Sequence, residues 1–396
     1  MSLAAEDPTT RLKVGVDVRC LVEPELRGFS RYTDELLHGF GQLDSVELVG
    51  LSDRPLPREL GFDVHVVEEG REWAVEQVGF PSAARRLEFD VLFCPTNRGL
   101  PAMGVPSVLT LHDAVEWDRR LVERPSGKSM VRFGYASTAS LAGATRIITV
   151  SEHARGELER RLGLDPARID VVTEAPGRRF LRPVPPSQLR EIRDRYGLPP
   201  RYVLYVGGFD PKKSVDTLVR SWALVPAADR PALLLAGSRT ADADATLRLA
   251  DELGVEVRLL GYIDDEDLPG LYRGAELFVF PAIAEGFGLP PLEAMACGTP
   301  SIVADAGALP EVVGAAALRF PARDHVALAS LLRSLLADPG ERTRLSNVAR
   351  THALAHDWVA VARETEAVLR RAAATSLGSR WLSGISSLRS VGKWMR

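Results

Sequence analysis

Short apolar runs alternate with longer amphipathic stretches along most of this chain. In the first half the runs are Leu12–Val18, Val46–Leu51, Asp90–Cys94, Ser107–Leu111 and Arg146–Val150, rich in valine, leucine and isoleucine. Runs this short, with apolar residues at adjacent positions, predict strands buried on both faces. Ser30–Phe40 has helical spacing instead, and helical stretches separate most of the strands. Strand-helix alternation predicts an α/β fold with a parallel, doubly wound sheet. The passage from Pro176 to Pro200 interrupts it with Pro183, Pro185, Pro186 and Pro199 and one short helical piece, and reads as a domain boundary. The alternation then restarts with Tyr202–Val206, Ala232–Ala236, Val257–Leu260, Leu277–Phe280 and Ser301–Ala304, and Asp357–Arg370 reads as a closing amphipathic helix.

The 396 residues exceed one comfortable hydrophobic core, so two domains of roughly 180 residues each are expected. The pattern divides into 1–182, 183–356, a helix at 357–373 and a tail at 374–396. Two similar doubly wound halves facing a central cleft is the expected plan. The net charge of −4 gives no general reason to expect nucleic acid as a partner. Cys20, Cys94 and Cys297 are odd in number and far apart, which fits a reducing compartment better than a disulfide framework or a metal cluster. The acidic N-terminus has no apolar core of a signal peptide, and no apolar run is long enough to span a membrane. A cytoplasmic protein is expected.

Candidate chemistry concentrates in Glu285-Gly-Phe-Gly-Leu-Pro-Pro-Leu-Glu293. The preceding Ala275–Pro281 reads as a strand, and Pro290 and Pro291 suit the first positions of a helix that Gly298 would close. Glu285 then falls on a glycine-rich loop at the carboxyl end of a strand, where open α/β sheets bind ligands, and Glu293 in the first turn of the next helix. The N–H groups of Gly286, Phe287 and Gly288, ahead of a positive helix terminus, suit an anion such as a diphosphate. Paired acceptor oxygens on a carboxylate match a vicinal diol on a sugar or ribose. Ordinary helix-start acids are the competing explanation, since carboxylates stabilise first turns everywhere.

The surroundings favour the ligand site. Glu285 to Glu293, then Ala-Met-Ala-Cys-Gly-Thr-Pro300, a strand Ser301–Asp305 and Gly307-Ala-Leu-Pro-Glu311, resembles the donor-site signature of retaining glycosyltransferases of family 4, which have the GT-B fold. The resemblance implies that Glu285 holds hydroxyls of the donor sugar, with Gly286, Phe287, Gly288, Leu289 and Glu293 completing the donor site. It also implies that the last helix crosses back to pack on the first domain.

Three further stretches fit. Gly28-Phe-Ser-Arg31-Tyr32 follows the first strand and resembles the Arg-Gly-x-x-Arg-Tyr loop of bacterial family members; an ordinary turn is the alternative. His112-Asp113 stands just past the strand Val108–Leu111. A lone histidine there is more often structural, but Thr110-Leu-His112-Asp113 resembles the family's catalytic histidine. Tyr205-Val-Gly207-Gly208-Phe-Asp210-Pro-Lys212-Lys213 is a glycine-rich turn whose Lys213 would neutralise a diphosphate. Many relatives carry arginine where this chain has Gly208, so half of the usual cationic clamp is missing or supplied from elsewhere.

No metal site or cofactor is expected. Asp242-Ala-Asp244 and Asp264-Asp265 stand where carboxylates simply cap helices and turns, and a helix dipole with lysine could replace a metal. No G-x-G-x-x-G follows the first strand of either half, which argues against a dinucleotide oxidoreductase. The expected partners are a nucleoside-diphosphate sugar, GDP- or UDP-linked, and a hydroxyl acceptor that the sequence does not identify. A phosphorylase or epimerase on the same plan and a non-catalytic sugar-nucleotide sensor are the rival classes. Arg380, Arg389, Lys393 and Arg396, interleaved with Trp381 and Trp394, would suit peripheral contact with an anionic membrane; a disordered or partner-binding tail is the alternative.

Overall fold

The computed structural model describes residues 11–23, 28–67, 75–99, 104–114, 141 and 143–375. The tail from 376 onward lies outside the described residues. The chain separates into two compact units, one built from the residues up to Thr173 together with those from Trp358, the other from Glu174–Asp357.

The first unit is a parallel sheet of β1 (Leu12–Asp17), β2 (Val46–Ser52), β3 (Val64–Val66), β4 (Val91–Cys94), β5 (Ser107–Thr110), β6 (Arg146–Thr149) and β7 (Ile169–Val171) in the order β3-β2-β1-β4-β5-β6-β7. Its helices include α1 (Phe29–Phe40), α2 (Phe80–Arg86) and α3 (Glu152–Leu162). Val14 and Val16 on β1 and Val108 and Leu109 on β5 are almost wholly buried, as strands covered on both faces must be. The β1–β2 register runs from Leu12 opposite Val46 to Asp17 opposite Leu51.

The second unit begins with α4 (Arg178–Leu181) and α5 (Pro186–Arg195). Its parallel sheet follows: β8 (Tyr202–Val206), β9 (Ala232–Ala236), β10 (Val257–Gly261), β11 (Leu277–Phe280), β12 (Ser301–Asp305) and β13 (Leu318–Pro321), ordered β10-β9-β8-β11-β12-β13. The intervening helices are α6 (Val215–Ala223), α7 (Ala241–Glu252), α8 (Leu268–Gly274), α9 (Leu289–Ala296) and α10 (Leu309–Val313), followed by α11 (His325–Ala337) and α12 (Pro339–Leu354). Both sheets reverse their order once, between β1 and β4 and between β8 and β11.

The division between the units falls at Thr173/Glu174, earlier than the boundary at 182/183 read from the prolines. Segment 174–182 joins the second core: Phe180 packs edge-on against Tyr272 at 5.8 Å, and Arg273 donates to the Arg182 carbonyl at 3.0 Å. Prolines mark where a helix stops, not which core a segment enters.

The closing helix α13 (Trp358–Ala373) belongs to the first unit and packs on α1. Its buried face is Trp358, Val361, Ala362, Thr365, Val368, Leu369 and Ala372, a run at three- and four-residue spacing. Its Trp358 ring meets Tyr32 of α1 edge-on at 5.7 Å, and its Ala362 lies against Gly39 of the same helix. Ser45 donates to Glu366 at 2.8 Å, and Arg371 binds Asp170 at 2.8 Å. The helices come into close contact at Gly39, where a Cβ would lie 2.4 Å from the Trp358 carbonyl oxygen.

Gly39→Ala should therefore lower the unfolding free energy by about 2 kcal/mol through overpacking, although alanine gains about 1 kcal/mol of helix propensity. Denaturant melts followed by tryptophan fluorescence check this, and an unshifted midpoint would contradict so close a helix contact.

Candidate active site

The order reversal between β8 and β11 brings the carboxyl ends of two strands side by side while their connections leave in opposite directions, which opens a ligand position above the sheet. Three loops meet there. Ile283 N–H, after β11, donates to the Lys212 carbonyl after β8 at 2.8 Å. Ala308 N–H, after β12, donates to the Glu285 carbonyl at 3.2 Å. Lys213 closes a turn whose N–H donates to the Asp210 carbonyl at 2.8 Å.

These ties place the Lys213 ammonium against Oε1 of Glu285 in a direct ion pair, with side chains 17% and 15% exposed. The same ammonium stands 5.4 Å over the Phe280 ring, whose π face favours a cation. Phe280 stacks on Tyr205 at 6.0 Å, and the Tyr205 hydroxyl donates to the Gly208 carbonyl. Burial first, then the nearby Glu285 and Asp210 carboxylates, pushes the Tyr205 phenol well above its ordinary value. It remains a neutral donor that holds the Gly207–Gly208 turn. Gly208 carries no cationic side chain, and a Cβ there would face the Asp210 carboxylate at 3.1 Å. Lys213 is therefore the cation that this turn presents.

Helix α9 starts at Leu289 with Gly288 as its cap, and Pro290 and Pro291 occupy its next two positions without N–H groups. The N–H groups of Phe287, Gly288 and Leu289 donate no hydrogen bond to other described residues, and they precede the positive end of the helix. Gly286 and Phe287 are buried in the same loop. The placement of Glu293 differs from the sequence expectation. It is the fifth residue of α9, in the second turn, because the helix begins one residue ahead of its prolines. Its side chain is buried and accepts a hydrogen bond from the Tyr272 hydroxyl at 3.1 Å. It does not stabilise the first turn as an exposed acid would.

His112 and Gly28 belong to the first unit, and the other candidate residues to the second. Gly28 caps α1, and its carbonyl accepts from Arg31 and Tyr32 N–H at 3.0 and 3.2 Å. The first turn of α1 carries Phe29 and Tyr32, whose rings lie 4.7 and 4.5 Å from the His112 ring, so loop and histidine form one cluster. His112 is buried; its N–H donates to Asn97 at 3.0 Å and Nε2 meets the Pro95 carbonyl at 3.0 Å. A carbonyl only accepts, so Nε2 carries the proton. A ligand group that accepts from His112 must therefore replace the Pro95 contact, because Nδ1 of the neutral ring only accepts.

Sequence reasoning gave no task to Tyr272, which carries no local motif, or to Tyr205, the fourth residue of the apolar strand Tyr202–Val206. It also assigned no task to Gly307, where a Cβ would stand 2.9 Å from the Glu285 nitrogen and 3.0 Å from its carbonyl oxygen, at a φ of 61°. Among the described residues, no group of three or more His, Cys, Asp or Glu side chains is arranged to hold a metal ion.

Two family models match the chain, glycosyltransferase family 4 over residues 26–174 and glycosyl transferases group 1 over residues 190–352. The chain belongs to the family 4-like glycosyltransferases. It is 38% identical over 205 residues to O-antigen chain mannosyltransferase B of Escherichia coli, a match that takes in 50% of this chain and 54% of the relative. It is 34% identical over 279 residues to D-inositol 3-phosphate glycosyltransferase of Salinispora arenicola, taking in 64% of this chain and 61% of the relative. The chain thus spans less than two thirds of the length of these curated relatives. The fold is GT-B. The structure of HepE from Anabaena in complex with UDP-glucose aligns with a TM-score of 0.71 at 16% identity, over 91% of this chain and 100% of that one.

Gly307→Ala should push the Glu285 backbone aside and break the Lys213 contact. Turnover with a nucleotide-sugar donor should fall by at least about tenfold, as removal of one well-placed charged hydrogen bond does, while strain at this left-handed position lowers the melting temperature by about 2–4 °C. Full activity in the variant would mean that this close approach does not position Glu285.

Proposed function

We propose that this protein transfers a sugar from a nucleoside-diphosphate sugar to an acceptor hydroxyl with retention of anomeric configuration. The observation that carries this reading is the Lys213–Glu285 ion pair beside the amides of Phe287, Gly288 and Leu289, which donate to no other described residue, at the order reversal of the second sheet. Cleavage of the donor builds negative charge on the departing diphosphate. Lys213 and the α9 terminus are fixed groups of the right sign to stabilise it. Gly207 and Gly208 let the backbone of the neighbouring turn approach the same phosphates.

In this reading Glu285 accepts hydrogen bonds from hydroxyls of the donor sugar, and Glu293 from those of the ribose. A carboxylate nucleophile under the anomeric carbon would be needed for double displacement. Glu285 shares its charge with Lys213 and is thereby a weak nucleophile. Attack then comes from the face the leaving group vacates, and the departing phosphate oxygen takes the acceptor proton. His112 adds a hydrogen bond to the donor sugar. Mannosyl transfer by the O-antigen relative and transfer to an inositol phosphate by the other support glycan or glycoconjugate assembly, and UDP-glucose bound to HepE supports a nucleotide-linked hexose donor, GDP- or UDP-linked. GDP-mannose is the first donor to test. The cationic groups named here are sufficient without a metal ion.

Incubation with GDP-mannose, UDP-glucose and related donors in excess chelator should give product with the donor's anomeric configuration by proton NMR. An inverted product, or activity restored only by a divalent ion, would sink this reading. Glu293→Ala should weaken binding of free nucleoside diphosphate by about ten- to a hundredfold, the value of roughly 1.5–3 kcal/mol for a hydrogen bond to a charged group. Glu285→Ala and His112→Ala should instead lower kcat, with nucleotide affinity nearly kept. Calorimetry beside steady-state kinetics separates the two patterns, and unchanged affinity in Glu293→Ala removes the ribose assignment.

A further inference from the structure

We propose that Tyr272 is a positioning residue for the nucleotide's ribose: its phenol holds the Glu293 carboxylate in the orientation that receives the ribose hydroxyls. The inference rests on the ribose reading of Glu293 given above. Tyr272, at the end of α8, is wholly buried, and its hydroxyl donates to Oε2 of Glu293 at 3.1 Å. Its ring is gripped edge-on from two sides, by Phe180 at 5.8 Å and Phe278 at 5.4 Å. Its main chain is fixed as well. The Thr299 hydroxyl donates to the Tyr272 carbonyl at 2.7 Å, and the Tyr202 hydroxyl to the Leu271 carbonyl at 2.7 Å. The phenol oxygen is thus a donor that scarcely moves.

Glu293 has three side-chain torsions, and the phenol fixes the direction of its Oε2. A stabilising role does not explain the pair. Phenylalanine at 272 with an apolar residue at 293 would fill the same space without burying a charge, and such replacements are commonly neutral or favourable. A buried carboxylate held by a rigid donor is how a recognition group is kept ready before its ligand arrives.

The test is calorimetry of GDP and UDP, each beside its 2′,3′-dideoxy analogue, on the full chain and on Tyr272→Phe, Glu293→Ala and the double variant. Tyr272→Phe keeps both ring contacts, and its melting temperature is measured alongside. For whichever nucleotide binds, affinity of Tyr272→Phe should fall about tenfold, while the dideoxy analogue, with no ribose diol to receive, should bind within about twofold of the unaltered protein. In the Glu293→Ala background the tyrosine substitution should cost nothing further. A merely structural tyrosine would weaken both nucleotides alike and would do so in both backgrounds, which would overturn the proposal. Weakened Glu293→Ala beside unaltered Tyr272→Phe overturns the positioning alone. Unchanged affinity in Glu293→Ala overturns the ribose reading and the positioning with it.

Discussion

The ion pair between Lys213 and Glu285 is the contact on which the second unit's site depends. Its two side chains are largely buried, and burying opposite charges costs desolvation that their attraction barely offsets. Such a pair is a poor device for stability. It persists because the chain around it leaves neither group another place. The turn after β8 and the loop after β11 are tied by the Ile283–Lys212 hydrogen bond, and the loop after β12 is tied to Glu285 itself. In the proposed reaction each partner is offered a replacement: the ammonium a diphosphate, the carboxylate the hydroxyls of a sugar. Charge balance inside the site is then maintained throughout donor binding.

The fold was largely legible because a parallel sheet covered on both faces writes itself as continuous apolar runs. Ala232–Ala236 and Tyr202–Val206 were read to the residue for that reason. The strands that escaped notice are β3, β7 and β13, each at or next to a sheet edge. Val64-His-Val66, Ile169-Asp-Val171 and Leu318-Arg-Phe-Pro321 are three or four residues long and carry polar groups toward solvent. Neither length nor apolarity marks them. The boundary at 182 failed for another reason: the short helix at Arg178–Leu181 owes its place to Phe180 and Arg273, a contact 93 residues apart in sequence for the arginine and the Phe180 carbonyl.

Much the same holds for the site. The carboxylates, glycines and lysine could be named because their spacing around a strand end is local. What each carboxylate touches was not local. Glu285 is held by a lysine 72 residues earlier and Glu293 by a tyrosine 21 residues earlier. The two glutamates thereby differ in kind. One is paired with a cation that a ligand must also use, and the other accepts from a neutral phenol. His112 shows the limit from the opposite side. Its strand-end position was plain, but the commitment of Nε2 to the Pro95 carbonyl depends on how the chain after β4 folds back over it.

In the proposed reaction the loop between β11 and α9 receives the diphosphate of a nucleotide sugar. Hydrogen–deuterium exchange of the whole protein with and without saturating GDP or UDP, with binding verified by calorimetry, tests it most directly. The Phe287, Gly288 and Leu289 amides should exchange more slowly when the nucleotide is bound, because the phosphate oxygens become their acceptors. Bound nucleotide with unchanged exchange at those three amides would contradict the account.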